Sequence, residues 1–435
     1  MNIKRITIQN FRNIGIEKTF YLNPDFTAFI GVNGKGKSTI LHALRIASGS
    51  YFLAIPDVKS HHIQKDEIRI IESGKLLLQQ FPVKIETEGS FPDFDNTITW
   101  RRQWLEGSSS TTSTNADVGA IRSIALKKYN RVQKQSDDKV DLPVIAFFGI
   151  TRAVGAGRVT RKSRIQRLGR QLFKEGYQDW EEMKAVKFHY EEWLGTYDHL
   201  VDQGKEYPKT KEAFFAAVKT ANPFITHLEF INGELWVKIN IDNEETGLLP
   251  LSLHSDGIHY FTAMVAEIAY RCVVLNGYKN EKAISETKGI VMIDEIDLHL
   301  HPNWQRHVVH DLKTAFPEIQ FVVTTHSPFI VQSLKSEELI ILDEDIEKDG
   351  DPFRKSIEEV AANEMGVENI PRSIEFLEMQ SVAEEYYKLI EAGKTSDTDD
   401  KTQQLRNRLN ELEELFGEDP AFVATLKIEK EAKGL

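Results

Sequence analysis

The chain has 435 residues, of which 41% are hydrophobic and 28% are charged, and its formal net charge is -12. This length predicts either one enlarged domain with insertions or two to three domains of about 150 residues each. The acidic balance argues against a protein that coats nucleic acid without specificity, although it leaves room for a local basic face.

The cysteine count and the hydropathy pattern indicate the compartment of the cell in which the protein is located. The single cysteine, Cys272, permits no internal disulfide, which is typical of a protein in a reducing cytosol. The first residues lack an apolar signal core, and no apolar run reaches 18 residues. We therefore expect a cytoplasmic protein that is neither exported nor membrane-spanning.

A glycine-rich turn between a strand and a helix is the first pattern that indicates chemistry. Residues 2–30 have the alternation of short strands, and the last predicted strand covers residues 26–30. It leads into Gly-x-x-x-x-Gly-Lys-Ser at residues 31–38, and an apolar-periodic helix starts near Lys37. In such a phosphate loop the backbone N–H groups form an anion nest at a helix N-terminus. The predicted nucleotide-binding residues are Gly31, Asn33, Gly34, Gly36, Lys37, Ser38 and Thr39.

The loop predicts a role for two of its side chains. Lys37 would reach the β- and γ-phosphates of ATP, and the Ser38 hydroxyl would hold Mg²⁺. The alternative is a glycine-rich turn without a ligand, but strand, motif and helix coincide here, which favours the phosphate loop.

After the helix that follows the phosphate loop, the sequence pattern changes to that of antiparallel strands. Residues 81–88 and 97–104 alternate with period two, which predicts antiparallel strands with one solvated face. Residues 107–115 are polar and of low complexity, as in a linker. A helix with several cations is predicted over 121–134, and the apolar run that starts at Leu142 predicts a buried strand.

Cations crowd together between residues 152 and 174, with few acids among them. They are Arg152, Arg158, Arg161, Lys162, Arg164, Arg167, Arg170 and Lys174. On an acidic protein such a stretch is either a binding face for phosphate backbones or partners, or an ordinary solvated face, and both interpretations stay open.

A β-hairpin is predicted over residues 225–239, since Asn232-Gly233 is a strong turn signal between two β-rich segments. Ser255-Asp256-Gly257 then precedes a long apolar helix. Alone, that turn is an ordinary helix N-cap.

A strand that ends in two acids forms the second chemical pattern. Gly289-Ile-Val-Met-Ile runs directly into Asp294 and Glu295, which predicts a buried parallel strand that delivers both carboxylates to the carboxyl edge of a sheet. Many strands end in an acidic turn, so this pattern needs the phosphate loop beside it. With that loop, we expect Asp294 to hold Mg²⁺ and Glu295 to orient the water that attacks the γ-phosphate.

Histidines follow two of these strands. His326 ends a predicted strand over residues 321–325, a position that is more often structural than catalytic. His299 and His301 lie in the turn after Glu295, and without further ligands at metal spacing we expect them to pack or to form local hydrogen bonds.

The motifs, in this order, resemble the ABC-type ATPase head shared by chromosome-maintenance, recombination-repair and phage-defence proteins. The resemblance implies an α/β fold with a mixed central sheet, an antiparallel β-lobe, a helical lobe and a helical C-terminal tail. It assigns residues 1–345 to the head, with a helical, basic insertion at about 105–220. Beyond the resemblance, residues 374–392 and 403–416 have the pattern of amphipathic helices, so we expect residues 346–435 to be either a helical accessory or partner-docking region or a helical cap on the chain's own head.

The resemblance also implies a dimer, because in that family two heads sandwich two ATP molecules. Ser255, Asp256 and Gly257 of one chain would cap the γ-phosphate held by the other, His326 would be the switch histidine, and Arg12 would approach the nucleotide. The family's metal-binding glutamine should follow the strand near Phe148, where this chain has Gly149-Ile-Thr-Arg, and Gln64 is a poor substitute. The insertion lacks sustained heptads, so no long coiled-coil arms are expected.

Residues 142–152 and 415–430 resemble a narrower family, PtuA, the ATPase subunit of Septu anti-phage systems that also accompanies some retrons. This implies a slow, ATP-hydrolysing sensor subunit, in dimers or higher oligomers, that controls a separate HNH nuclease of the PtuB type. It would carry no nuclease site, and the helical sequence after Asp343-Glu-Asp345 supplies no strands for one. The alternative is a stand-alone DNA-repair ATPase that clamps DNA through the basic 152–174 stretch.

Overall fold

The computed structural model of the chain describes residues 1–56, 58–134, 139–150, 172–182, 189–203, 209–241, 243–346, 350–367, 374–392 and 399–415. The chain divides into two compact units, Met1–Gly366 and Val367–Leu435. The strands of the described residues are β1 (Asn2–Gln9), β2 (Lys18–Tyr21), β3 (Phe26–Ile30), β4 (Ile70–Ser73), β5 (Leu76–Gln79), β6 (Val83–Phe91), β7 (Phe94–Trp104), β8 (Val144–Phe148), β9 (Ile225–Ile231), β10 (Glu234–Ile241), β11 (Glu244–Glu245), β12 (Leu249–Pro250), β13 (Gly289–Ile293), β14 (Ile319–Thr324) and β15 (Leu339–Ile341). The helices are α1 (Lys37–Gly49), α2 (Asn115–Lys134), α3 (Leu172–Gly176), α4 (His189–Asp202), α5 (Lys211–Ala221), α6 (Asp256–Leu275), α7 (Pro302–Gln305), α8 (Val308–Ala315), α9 (Pro328–Gln332), α10 (Ile357–Asn363), α11 (Ile374–Glu391) and α12 (Asp400–Leu415).

A five-stranded parallel sheet forms the centre of the first unit. Its order is β15-β3-β14-β13-β8, and each neighbouring pair is parallel. Every residue of β3, β8, β13 and β14 is buried. Strands covered on both faces need continuous apolar sequence, which explains the unbroken apolar runs that predicted β8 and β13.

An antiparallel sheet of order β2-β1-β6-β7 lies beside the parallel one. Along β6 buried and partly exposed residues alternate strictly, as the period-two pattern predicted. Gln320, in β14, joins the two sheets, because its side chain accepts from the Ile3 N–H and donates to the Ile3 carbonyl, both at 2.8 Å. The predicted α/β class is confirmed, with the parallel and antiparallel pairings of the described residues in separate sheets.

Helix α2 begins at Asn115, whereas the sequence pattern predicted a start at residue 121. The polar residues before it cause the difference. The Thr114 hydroxyl donates to Asp117 at 2.7 Å, and the Asp117 N–H donates to the Thr114 carbonyl at 3.1 Å. Threonine and aspartate thus start the helix inside a segment that reads as a linker.

Helix α6 runs through the core next to the parallel sheet. It is long and apolar enough to cross a membrane, but 83% of that apolar window is buried inside the protein, as in a core helix. Near its C-terminal end Arg271 is fully buried and donates to the carbonyls of Gly176 and Gln178 at 2.9 and 2.7 Å. These bonds attach the far end of α6 to the segment that starts with α3.

The basic stretch lies mostly outside the described residues, which include Lys174 but omit 151–171. The predicted hairpin is present as β9 and β10, with Asn232 and Gly233 both at positive φ, as a tight hairpin turn requires. The second unit contains the two predicted helices, α11 and α12, which pack through a small apolar core. The members of that core are Met379, Leu409 and Leu412, with Val382, Ala383 and Tyr386 packed against them.

Candidate nucleotide-binding site

The glycine-rich loop connects β3 to α1, and its shape depends on glycine. Gly34 and Gly36 have φ of 89° and 107°, in the left-handed region that other residues rarely adopt. Gly36 is the residue before the first turn of α1, and a Cβ placed there would lie 3.1 Å from the Asn13 side chain. The loop therefore presents backbone N–H groups at the start of a 13-residue helix, which is the arrangement that binds phosphate.

Lys37 is buried at the base of this loop, with 7% of its surface exposed. Its Nζ donates to the Gly31 carbonyl at 2.6 Å. Burial lowers the pKa of Lys37, while the nearby carboxylates of Asp343 and Asp294 act in the opposite direction. A desolvated ammonium of this kind gains strongly from an anionic partner such as a phosphate group.

The two acids after β13 lie where the sequence predicted, at the carboxyl edge of the parallel sheet. Asp294 is buried, and its Oδ1 accepts a hydrogen bond from the Ser38 hydroxyl at 3.1 Å. That bond joins the phosphate loop to the acidic motif across 256 residues of sequence. A hydroxyl and a carboxylate are the oxygen ligands that Mg²⁺ prefers, and Mg²⁺ is usually held by one or two such groups together with substrate phosphates.

Thr324, the last residue of β14, is a site residue that the sequence interpretation missed. Its hydroxyl donates to Asp294 Oδ1 at 2.6 Å and accepts from the Glu295 N–H at 2.8 Å. Thr324 therefore fixes both acids at once. The signal for it was the pairing of β13 with β14, which places Ile293 opposite Val323 and so brings Thr324 level with Asp294.

Glu295 is half-buried and has φ of 49°, a conformation uncommon for residues other than glycine. Its neighbour Ile296 donates its N–H to the Thr324 carbonyl at 3.0 Å. The backbone on both sides of Glu295 is thus held by Thr324. Unusual backbone conformations of this kind concentrate at functional sites, where the surrounding structure maintains them.

The turn after β14 contacts the turn after β13. Asp297 Oδ1 accepts from the Thr325 hydroxyl at 2.7 Å and from the His326 N–H at 3.4 Å. The His326 side chain is exposed, and the next residue, Ser327, caps α9 through its hydroxyl. His326 is therefore positioned through its backbone beside the acidic motif, with its imidazole accessible.

A second missed residue, Asn13, supports the phosphate loop from the turn after β1. Its Oδ1 accepts from the Thr39 hydroxyl at 2.7 Å, and its Nδ2 donates to the Gly34 carbonyl at 2.5 Å. Its neighbour Arg12 is paired with the buried Glu67, whose Oε1 accepts at 2.8 and 3.2 Å. The contact of Arg12 with the nucleotide stays a prediction.

Ser255, Asp256 and Gly257 form the start of α6, as the pattern predicted. A Cβ on Gly257 would lie only 2.2 Å from the His299 carbonyl oxygen, so only glycine allows the helix to approach this turn. Gly257 thus lies against the turn that follows Glu295. Their predicted contact with the γ-phosphate concerns a second chain.

The remaining predicted positions have local partners. His301 caps α7 by accepting from the Asn303 N–H at 3.3 Å, and the His299 ring lies 5.8 Å from that of Tyr260. Within the described ranges no group of three or more His, Cys, Asp or Glu side chains is arranged to hold a metal ion. The Gln64 side chain donates to the His62 carbonyl at 2.9 Å.

Comparison with known proteins finds a family and relatives to which this chain is similar. The family model described as "AAA domain, putative AbiEii toxin, Type IV TA system" matches residues 26–332, which include the loop, both acids and His326. "Retron Vc95 probable ATPase" from Vibrio cholerae serotype O1 biovar El Tor is 23% identical over 396 aligned residues, covering 79% of this chain and 74% of the relative.

Two further matches are shorter or more distant. "Septu protein PtuA" from Bacillus mycoides (strain KBAB4) is 42% identical over 95 residues, which cover 22% of this chain and 13% of that protein. Among solved structures, "SMC head domain from Thermotoga maritima" has a TM-score of 0.42 and 14% identity, with 78% of this chain and 94% of that chain covered.

Proposed function

The chain belongs to the AAA-domain family whose model matches residues 26–332, and we propose that it is the ATP-hydrolysing regulatory subunit of an anti-phage defence complex. The observation that carries the proposal is the 3.1 Å hydrogen bond between Ser38 and Asp294. It unites a phosphate-binding loop with a hydroxyl and carboxylate pair suited to Mg²⁺, and Glu295 follows directly. The kinship with a retron ATPase and with Septu protein PtuA supports the assignment to defence.

In the proposed reaction each side chain has a separate role. The loop N–H groups and Lys37 bind the β- and γ-phosphates. Ser38 and Asp294 would hold Mg²⁺, which when bound would supply positive charge to the phosphates. Glu295 orients and polarises the attacking water. Thr324 keeps Asp294 and the backbone of Glu295 in fixed relative positions, and so orients the two carboxylates that this proposal assigns to metal binding and to water activation.

We further propose that two chains enclose two ATP molecules. Ser255, Asp256 and Gly257 begin a 20-residue helix, whose N-terminus favours negative charge, and they would cap the γ-phosphate held by the partner. His326, accessible beside Asp297, would contact the same phosphate. Hydrolysis would then release the dimer, so that the nucleotide controls assembly rather than supplying rapid turnover.

The partner in this proposal is a separate HNH nuclease of the PtuB type, and the complex acts in the cytoplasm. Residues 1–345 form the ATPase head, and residues 346–435 form the docking region for the nuclease. The basic 152–174 stretch would be the contact for DNA, a part of the proposal that is supported by its sequence charge alone. The support for this part is the similarity to Septu protein PtuA. In the proposal the nuclease activity belongs to the partner.

Co-expression with the neighbouring open reading frame tests the proposal. We expect a stable complex in light scattering, with a mass that changes on addition of ATP and Mg²⁺, and metal-dependent nuclease activity in the same fractions. Lys37→Ala should remove the response to ATP because the buried ammonium is lost. Lys313→Ala is the matched control, since Lys313 lies on α8 and its ammonium pairs with Glu338, a residue outside the loop.

Two results would contradict this assignment. A lone dimer whose ATP hydrolysis is stimulated by DNA, with no nuclease in the complex, would instead identify a DNA-repair clamp. A Lys37→Ala variant that responds to ATP like the wild type would exclude the loop as the nucleotide site.

A further inference from the structure

Asp343 is brought to the phosphate loop by the pairing of the edge strand β15 with β3. The register places Ile341 opposite Ile30, and the Leu342 N–H donates to the Ile30 carbonyl at 3.0 Å. Since parallel strands end at the same edge, the residue after Leu342 comes level with the first residues of the loop. Asp343 therefore contacts a segment that lies 311 residues earlier in the sequence.

The contacts of Asp343 hold the loop at two points. Its Oδ2 accepts the Val32 N–H at 2.9 Å, and its Oδ1 pairs with Lys35 Nζ at 3.1 Å. The Asp343 side chain is only 8% exposed, whereas that of Lys35 is 47% exposed. A buried carboxylate is costly unless it is hydrogen-bonded, so these two partners account for its presence.

Gly31 shows how closely the carboxylate approaches. A Cβ at Gly31 would lie 3.0 Å from Asp343 Oδ2 and 3.2 Å from the Leu342 Cβ, and φ at Gly31 is 151°. The first glycine of the loop thus leaves the space that Asp343 occupies. Both the glycine and the acid belong to one packed arrangement.

We propose that Asp343 is a positioning residue of the nucleotide site. It fixes the first half of the phosphate loop and so keeps the N–H groups of the loop directed for phosphate binding. This inference rests on the proposed function of the loop in ATP binding. A negative charge beside a triphosphate site would ordinarily weaken binding, but the pair with Lys35 compensates it. The position of the acceptor oxygen, and not its charge, is what the loop requires.

Two substitutions of Asp343 distinguish the effect of the position of its acceptor oxygen from the effect of its charge. Asp343→Asn removes the charge but keeps an oxygen that can accept from the Val32 N–H. Asp343→Glu keeps the charge but displaces the oxygens by one methylene into the space beside Gly31. Asp345→Asn is the matched control, because Asp345 is exposed two residues farther along and loses the same charge.

The measurement is isothermal titration of each variant with a non-hydrolysable ATP analogue and Mg²⁺, together with amide hydrogen exchange of the peptide that contains Val32. We expect Asp343→Glu to bind about tenfold more weakly or worse, because its displaced carboxylate no longer accepts from the Val32 N–H and the first half of the loop loses this hydrogen bond. Its Val32 amide should exchange faster. Asp343→Asn should stay within about threefold of the wild type in affinity, as should Asp345→Asn.

Equal affinity of Asp343→Glu and the wild type would overturn the inference, as would an Asp343→Asn variant as weak as Asp343→Glu. The wild type in the same titration separates the two proposals. If the wild type binds the analogue and either of these two outcomes is found, only the proposed role of Asp343 is wrong. If the wild type binds no nucleotide, the proposed function is wrong, and the proposed role of Asp343 is wrong with it.

Discussion

The nucleotide edge of the parallel sheet and the C-terminal pair of helices are held together by different kinds of contact. At the sheet edge, buried and half-buried polar groups form hydrogen bonds across long stretches of sequence, as in the pairs Ser38–Asp294 and Thr324–Asp294. In the C-terminal unit, α11 and α12 combine a small apolar core with exposed ion pairs such as Arg408–Glu378. The first kind of contact fixes where chemical groups lie, whereas the second kind contributes stability without fixing a reactive position.

The largest expected effect is on hydrolysis at the sheet edge. Glu295→Gln should lower the turnover of ATP by about 10²- to 10⁴-fold, because it removes the group that polarises the attacking water. ATP binding should persist, since Lys37 and Ser38 are unchanged. The measurement is phosphate release beside an ATP titration, with Glu234→Gln on the exposed end of β10 as control. Hydrolysis at the wild-type rate would show that another residue activates the water.

The next effect concerns the apolar core of the C-terminal unit. Leu412 is 1% exposed, and Leu412→Ala should lower the free energy of unfolding of this unit by about 2–5 kcal/mol, because it leaves a cavity. Hydrogen exchange of α11 and α12 measures the loss, and ATP hydrolysis should stay at the wild-type rate. Leu405→Ala, at a half-buried position of the same helix, should cost less. A parallel fall in hydrolysis would break the comparison, since the unit would then influence the site.

The smallest effect is expected for the exposed ion pairs. Arg408 is 47% exposed and lies 2.8 Å from Glu378 and 3.0 Å from Glu411. Arg408→Ala should leave the thermal unfolding midpoint of the C-terminal unit unchanged, because solvent and salt screen such pairs. Calorimetry at low and high salt tests this. A loss comparable to that of Leu412→Ala would mean that the ion pairs, too, determine the stability of the unit.

Sequence patterns located the parts of the fold that depend on neighbouring residues. The bounds of β3, the start of α1 at Lys37 and the Asn232-Gly233 turn follow from apolar runs and turn chemistry that act over a few positions. The same holds for Asp294 and Glu295, because an apolar strand that ends in acids is visible without knowledge of its neighbours. These features could therefore be predicted.

The contacts that complete the site could not be predicted in the same way. Thr324 bonds Asp294 across 30 residues, and Asp343 bonds Val32 across 311 residues. Each contact depends on which strands are neighbours, β13 with β14 and β3 with β15, and strand order is not encoded by local periodicity. Asn13 was missed for a related reason, since only the fold places the turn after β1 beside the loop.

Because Gly257 lies so close to His299, a movement of the turn at His299 would tilt α6. A helix of 20 residues is about 30 Å long, so a tilt of about 5° at its first turn displaces its other end by about 3 Å. That other end is attached through Arg271 to the carbonyls of Gly176 and Gln178. A shift of the turn after Glu295 that tilts α6 would thus displace Arg271 and its two carbonyl partners farther than the turn itself moves.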